Sequence, residues 1–165
     1  MSEASGEILG VIADASIPDA PLTERALERR VPPDTFAVVR RWVLDSTSEL
    51  RTLRAEVAAA IVGRGAGTRL RGVPGAVVLV ASELATNALC HGLAPTVVTL
   101  CRDGQTYLLD VADQAVQVEP VLAERRLPGE GGFGLYLARR LALDVGWYAD
   151  GETKHVWATF EPSEA

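Results

Sequence analysis

The segment AVVLVASELATNALCHG, residues 76–92, constrains the fold more than any other part of the chain. Its Ala, Val and Leu predict a helix over residues 75–91. That helix is apolar around so much of its circumference that it has to be buried against a sheet or other helices. Gly92 stands where a helix C-cap is expected. Yet Glu83, Asn87 and His91 recur every fourth residue, which aligns them on one stripe. A carboxylate and an amide on a buried helix cost free energy unless each is paired. The stripe should therefore face a polar cavity, a ligand or a partner; the plainer alternative is a hydrated face.

The remaining segments supply a sheet for that helix. TFAVVRRWVL, residues 35–44, is rich in β-formers and reads as a strand. DSTSELRTLRAEVAAAIVG, residues 45–63, places Ser48 as a cap ahead of Leu50, Leu53, Val57 and Ile61, an amphipathic helix. TVVTLCRDGQTYLLDVAD, residues 96–113, predicts a hairpin turning at Asp103-Gly104. VGWYADGETKHVWATFEP, residues 145–162, predicts a second at Asp150-Gly151. Between them GLYLARRLALDV returns to helical spacing from Gly134. The order strand, helix, helix, hairpin, helix, hairpin predicts an α+β fold, a two-layer α/β sandwich whose mixed, mainly antiparallel sheet carries helices on one face. Residues 114–132 hold two prolines and three glycines with little periodicity, a long connection of the kind that serves as a lid.

At 165 residues and 48% apolar composition the chain has material for one domain and one core. Residues 1–34, with Pro18, Pro21, Pro32 and Pro33, read as a flexible N-terminal extension, leaving 35–161 as the domain. The formal charge of -6 argues against a surface that neutralises nucleic-acid phosphates or anionic lipid, so an acidic ligand must be held locally. No apolar run approaches the about 20 residues of a membrane helix, and Met1-Ser2-Glu3 opens without the basic residues of a secretory signal. A cytoplasmic protein with no direct contact to membrane or nucleic acid is expected. Cys90 and Cys101, with only His91 and His155 to help, lack zinc-site spacing and are expected to be small buried hydrophobes. Trp42, Trp147 and Trp157 are expected in the core.

SELATNALCHG, residues 82–92, resembles the N-box of the histidine-kinase-like ATPases (GHKL, or Bergerat-fold, proteins), especially the anti-sigma-factor serine kinases. LLDVADQAVQVEP, residues 108–120, resembles the family's strand ending in an adenine-binding aspartate. GEGGFGLYLARRLALDVGW, residues 129–147, resembles its Gly-rich lid and following helix, and GETKHVWATF its closing hairpin. Several motifs in the family's order, over about residues 35–161, are far more specific than any one of them.

The resemblance implies a protein serine/threonine kinase that binds ATP and Mg²⁺. Asn87 would hold Mg²⁺ beside the triphosphate, because this ion takes few protein ligands and keeps phosphates and water. Glu83 would act as general base towards the attacking hydroxyl. Asp113 would accept a hydrogen bond from the adenine amine; a strand-ending turn aspartate is its ordinary role. Gly129, Gly131, Gly132, Phe133, Gly134 and Leu135 would form the phosphate-binding lid and helix start. Thr153, with Lys154, would lie near the lid, or both would be polar edge-strand residues. The partners implied are a sigma factor and an anti-anti-sigma antagonist; pairing of two copies is left open. The chain departs from the pattern at Ala115, where the family has glycine, and at Phe133, where relatives carry a polar or basic residue. Those departures keep a second reading in play, a nucleotide-dependent binding module with little or no catalysis.

Overall fold

The structure, a computed structural model, describes residues 27–63, 72–120 and 133–161. Among these residues five strands form one sheet: β1 (Ala37–Leu44), β2 (Thr96–Asp103), β3 (Thr106–Asp113), β4 (Asp144–Asp150) and β5 (Thr153–Phe160). Three α-helices among the described residues accompany them: α1 (Leu50–Val62), α2 (Val73–His91) and α3 (Phe133–Leu141). The element order matches the sequence reading, and both hairpins turn at the expected Asp-Gly pairs, with Gly104 at φ 59° and Gly151 at φ 61°. Every strand pairing is antiparallel, in the order β1-β2-β3-β5-β4. The expected mixed sheet is therefore uniformly antiparallel, and the parallel contact described is an isolated bridge from Arg29 to Trp147.

Alternation along the strands sorts their side chains into two layers. Leu109, Val111, Val156, Ala158 and Phe160 join the main core with the helices, while Cys101, Leu108 and Trp157 form a smaller cluster on the other face. The outer face also carries the His155–Asp110 contact of 2.9 Å and the stacked Tyr148–His155 pair. Within the main core, Leu50, Leu53, Val57 and Ile61 of α1 are all buried, as their spacing predicts. Each contributes about 1.5–3 kcal/mol relative to an exposed position. The serine that caps this region is Ser46 rather than Ser48. Ser46 Oγ accepts from the Ser48 amide at 3.2 Å and opens a short 3₁₀ turn, Thr47–Glu49, ahead of α1.

The apolar helix is α2. Val77, Val80, Ala81, Leu84, Ala85 and Ala88 are buried, and the helix packs on α1, α3 and strands β2, β3 and β5. At 19 residues and mean hydropathy 1.5 it is, against the reading of the sequence, long and apolar enough to cross a membrane by length and composition alone. Here it fills the centre of a domain, which asks for the same composition. Arg54, an exposed residue of α1, donates to the buried Ser82 Oγ at 3.0 Å and ties the two helices.

The three tryptophans are buried, and each indole N–H has an acceptor: Glu56 for Trp42, the Leu27 carbonyl for Trp147 and the Arg30 carbonyl for Trp157. These bonds show what the end of the N-terminal segment does. Leu27–Arg30 lies along β4, with the Arg30 amide donating to the Trp147 carbonyl at 2.8 Å and Leu27 buried in the core. Within the N-terminal extension, Leu27–Arg30 is thus docked against β4. Cys101 is buried as expected, but Cys90 is exposed, because it lies on the outward side of α2.

Candidate functional site

The polar stripe of α2 stands at the edge of the buried face. Glu83 and Asn87 are half-buried, and His91 is exposed in the last turn. Burial pushes the Glu83 carboxyl above its ordinary 4.5. That direction suits a proton acceptor, since a carboxylate of raised pKa is a stronger base. Thr86, beside them, returns its hydroxyl to the Ser82 carbonyl at 2.6 Å and so remains part of the helix.

Where α2 ends, it meets the end of β3. Gly92 leaves the helix at φ -88°, ψ -171°, an extended conformation open to any residue, so left-handed capping is not what demands glycine here. Contact is. A Cβ at this position would lie 2.5 Å from the Ala88 carbonyl oxygen and 2.7 Å from Asp113 Cγ. The missing side chain lets the Asp113 carboxylate sit directly against the helix terminus, and the Gln114 amide closes the junction by donating to the Leu93 carbonyl at 2.9 Å. Asp113 is 5% exposed, and its Oδ1 accepts from the Ala115 amide at 2.7 Å. Ala115 therefore fits the turn after β3, with its own amide holding the aspartate.

These positions form a line. With a rise of about 1.5 Å per residue, Asn87 lies about 7.5 Å and Glu83 about 13.5 Å along the helix axis from the Gly92 junction. An acceptor buried at a strand end, an amide and then a carboxylate of raised pKa thus follow one another along the helix. The first turn of α3 begins at Phe133, with Gly134 and Leu135 next, and α3 packs against α2. Of the expected lid, Gly129, Gly131 and Gly132 lie outside the described residues.

Thr153 does not join the line. Its hydroxyl accepts from Gln114 Nε2 at 3.4 Å, and alternation places it with His155 and Trp157, away from the helices. Nor is it on an edge strand, since β5 lies between β3 and β4. The neighbouring Lys154 is the hairpin residue that pairs with Asp113 in register. It is 7% exposed, and its Nζ stands 3.6 Å from Asp113 Oδ2 and donates to the Val118 carbonyl at 3.1 Å. The same row holds Thr96, 1% exposed, whose Oγ1 has no hydrogen-bond partner among the described residues. Neither Lys154's burial nor Thr96 was read as part of the site. A charged residue inside an otherwise apolar strand was the available signal, because such a lysine is buried only when paired.

The antiparallel sheet and its helices define an α+β domain. Comparison with protein families agrees: residues 33–160 match the family described as Histidine kinase-like ATPase domain, and the chain belongs to it. No curated protein matches the chain. Membership makes the chain an ATP-binding domain of the GHKL type, a class that uses ATP for hydrolysis or phosphoryl transfer, generally with Mg²⁺.

Proposed function

We propose that the chain is a cytoplasmic anti-sigma-factor serine/threonine kinase, which binds a sigma factor and phosphorylates a hydroxyl residue of an anti-anti-sigma antagonist. The observation that carries this reading is the succession from Asp113 at the end of β3 to Asn87 and then Glu83 on α2. The residues fit a purine nucleotide: Asp113 offers a buried acceptor at the end of β3, and beside it the Thr96 hydroxyl is buried with no hydrogen-bond partner among the described residues. They also fit Mg²⁺. Among the described residues no group of three His, Cys, Asp or Glu side chains forms an all-protein cage, and an Asn87 amide oxygen with phosphates and water is the coordination this ion favours. When bound, Mg²⁺ would neutralise phosphate charge.

The remaining chemistry falls to the chain's own side chains. Glu83 takes the proton of the antagonist's hydroxyl while that oxygen bonds to the terminal phosphorus and the bond to the ADP oxygen breaks. Asp113 fixes the base and thereby the reach of the triphosphate along α2. The amides at the start of α3 supply donors to phosphate.

A second reading, a nucleotide-dependent binding module with little transfer, is favoured by one observation: Lys154 already covers the Asp113 carboxylate. Two measurements separate them. Calorimetric titration with ATP and Mg²⁺ should show saturable binding, and label from the terminal phosphate of ATP should pass to the cognate antagonist. Binding without transfer supports the module; no binding at millimolar nucleotide removes both readings.

A further inference from the structure

The segment Leu27–Arg30 lies outside the family-matched residues 33–160, yet it is tied to the domain as a strap. Trp147 and Trp157 each give their indole N–H to one of its carbonyls, and Arg30 pairs with Asp144 at the corner where α3 passes into β4. A cavity of about 400 Å³ remains between this strap, the end of α3 and the start of β4, a volume within the range of small-molecule sites. Part of its lining is apolar: Leu27, Ala142, Leu143 and Val145. The rest is charged: Glu28, Arg30, Arg139 and Asp144. Arg30 and Asp144 neutralise each other. The Glu28 carboxylate is 73% exposed and stays 3.7 Å from Arg30 Nε, beyond hydrogen-bond length. Arg139 is exposed and has no hydrogen bond or ion pair among the described residues. A carboxylate on the strap and a guanidinium on α3 thus line one cavity, each side chain with its hydrogen-bonding capacity unspent.

The charges of the lining select the ligand. Two arginines stand against two carboxylates, so the cavity is neutral as a whole. A phosphate or sulfate dianion would meet Glu28 and Asp144 as like charges. A metal ion would meet two guanidiniums, and among the described residues no three His, Cys, Asp or Glu side chains converge on a cation. A purely apolar ligand would take Glu28 and Arg139 out of water without giving either a partner. The ligand that satisfies every wall is itself neutral and carries an ammonium, a carboxylate and an apolar chain. We propose that this cavity binds a free aliphatic α-amino acid of the size of leucine. Arg139 takes the carboxylate through paired N–H donors, Glu28 accepts from the ammonium, and the side chain lies on Leu27, Ala142, Leu143 and Val145. The site is separate from the nucleotide line, since it uses the last turn of α3 and not the first turn at Phe133.

The experiment is calorimetric titration of the full chain with L-leucine and with three of its fragments. These are 4-methylpentanoate, which lacks the ammonium, 3-methylbutylamine, which lacks the carboxylate, and glycine, which lacks the apolar chain. Leucine should saturate with a dissociation constant below about 1 mM. Each fragment should bind at least about tenfold more weakly, because each gives up one charge-assisted pair or the apolar wall. R139A and E28Q, both at exposed positions, should weaken leucine by about tenfold or more and leave the affinity for Mg²⁺ and ATP unchanged. Amide NMR shifts at Glu28, Arg139 and Leu143 should follow the leucine titration. No saturation by leucine up to about 10 mM overturns the proposal. So does 4-methylpentanoate or 3-methylbutylamine binding as tightly as leucine, which would make the cavity a site for a single charge. Leucine affinity within about twofold of wild type in R139A or in E28Q overturns it too, by moving the amino acid away from these groups. Failure of ATP to bind would remove the nucleotide site and leave this one standing, because the readout with leucine uses no nucleotide.

Discussion

Replacing Gly92 with alanine tests the junction on which the site depends. The backbone at Gly92 is extended, so alanine meets no conformational penalty and the whole cost is steric. The new methyl would stand 2.5 Å from the Ala88 carbonyl oxygen, 2.7 Å from Asp113 Cγ and 2.8 Å from Asp113 Oδ2. The carbonyl is held by the helix, which accepts the Gly92 amide through it at 2.9 Å. Asp113 is the part that yields, and it is a short side chain held at Oδ1 by the Ala115 amide. Overpacking of a close-packed site costs about 1–3 kcal/mol, and loss of a hydrogen bond to a charged group about 1.5–3 kcal/mol. Since relief of one strains the other, G92A should lose about 2–4 kcal/mol of stability. It should also bind ATP at least about tenfold more weakly, because the carboxylate moves off its position. Gly75 provides the control: it lies in the same helix with open space around its Cβ position, so G75A should gain about 0.5–1 kcal/mol. Urea unfolding at constant m-value gives the stabilities, and calorimetry the affinities. If G92A melts within about 0.5 kcal/mol of the wild type and binds ATP equally well, the close-approach argument is wrong.

Three further variants probe the site and its supports. E83Q should cut phosphotransfer by about 10²–10⁴-fold while sparing nucleotide affinity. Because the folded chain raises the Glu83 carboxyl above 4.5, ionised Glu83 costs stability above its folded-state pKa, and that cost disappears as pH falls through it. Unfolding curves of E83Q and wild type should therefore converge on acidification and separate towards neutral pH, with E83Q the more stable; parallel curves would contradict the burial assigned here. N87A should abolish the Mg²⁺ dependence of ATP binding, read by titration with and without the ion, and an unchanged dependence would move the metal elsewhere. W147F strips the donor from the buried Leu27 carbonyl and should cost about 1–3 kcal/mol, with faster amide exchange at Arg30; unaltered exchange there would mean that the indole does not hold the strap.

Much of the frame was legible in the residues. Period-four spacing in α1 and the two Asp-Gly turns located their elements because local geometry alone sets those signals. The acidic and amide positions of α2 stood out because polar groups are rare in so apolar a segment. The capping serine was misread, since Ser46 and Ser48 carry the same chemistry and the 3₁₀ turn that Ser46 opens, Thr47–Glu49, is a matter of backbone placement. Thr153 was preferred over Lys154 for a related reason. β5 is covered on both faces, so its apolar run does not reveal which residues point at the helices.

What the order of amino acids dictated, then, was the element succession, the antiparallel hairpins and the stripe on the core helix, all governed by neighbours within a few residues. Which groups surround Asp113 was set at longer range. Lys154 and Gly92 reach it from a strand 41 positions later and a helix end 21 earlier, and Thr96 lines up through strand register. Pairing across a sheet and the approach of a helix end to a strand end are properties of the packed domain, so the donor beside the acceptor could appear only once the chain was folded.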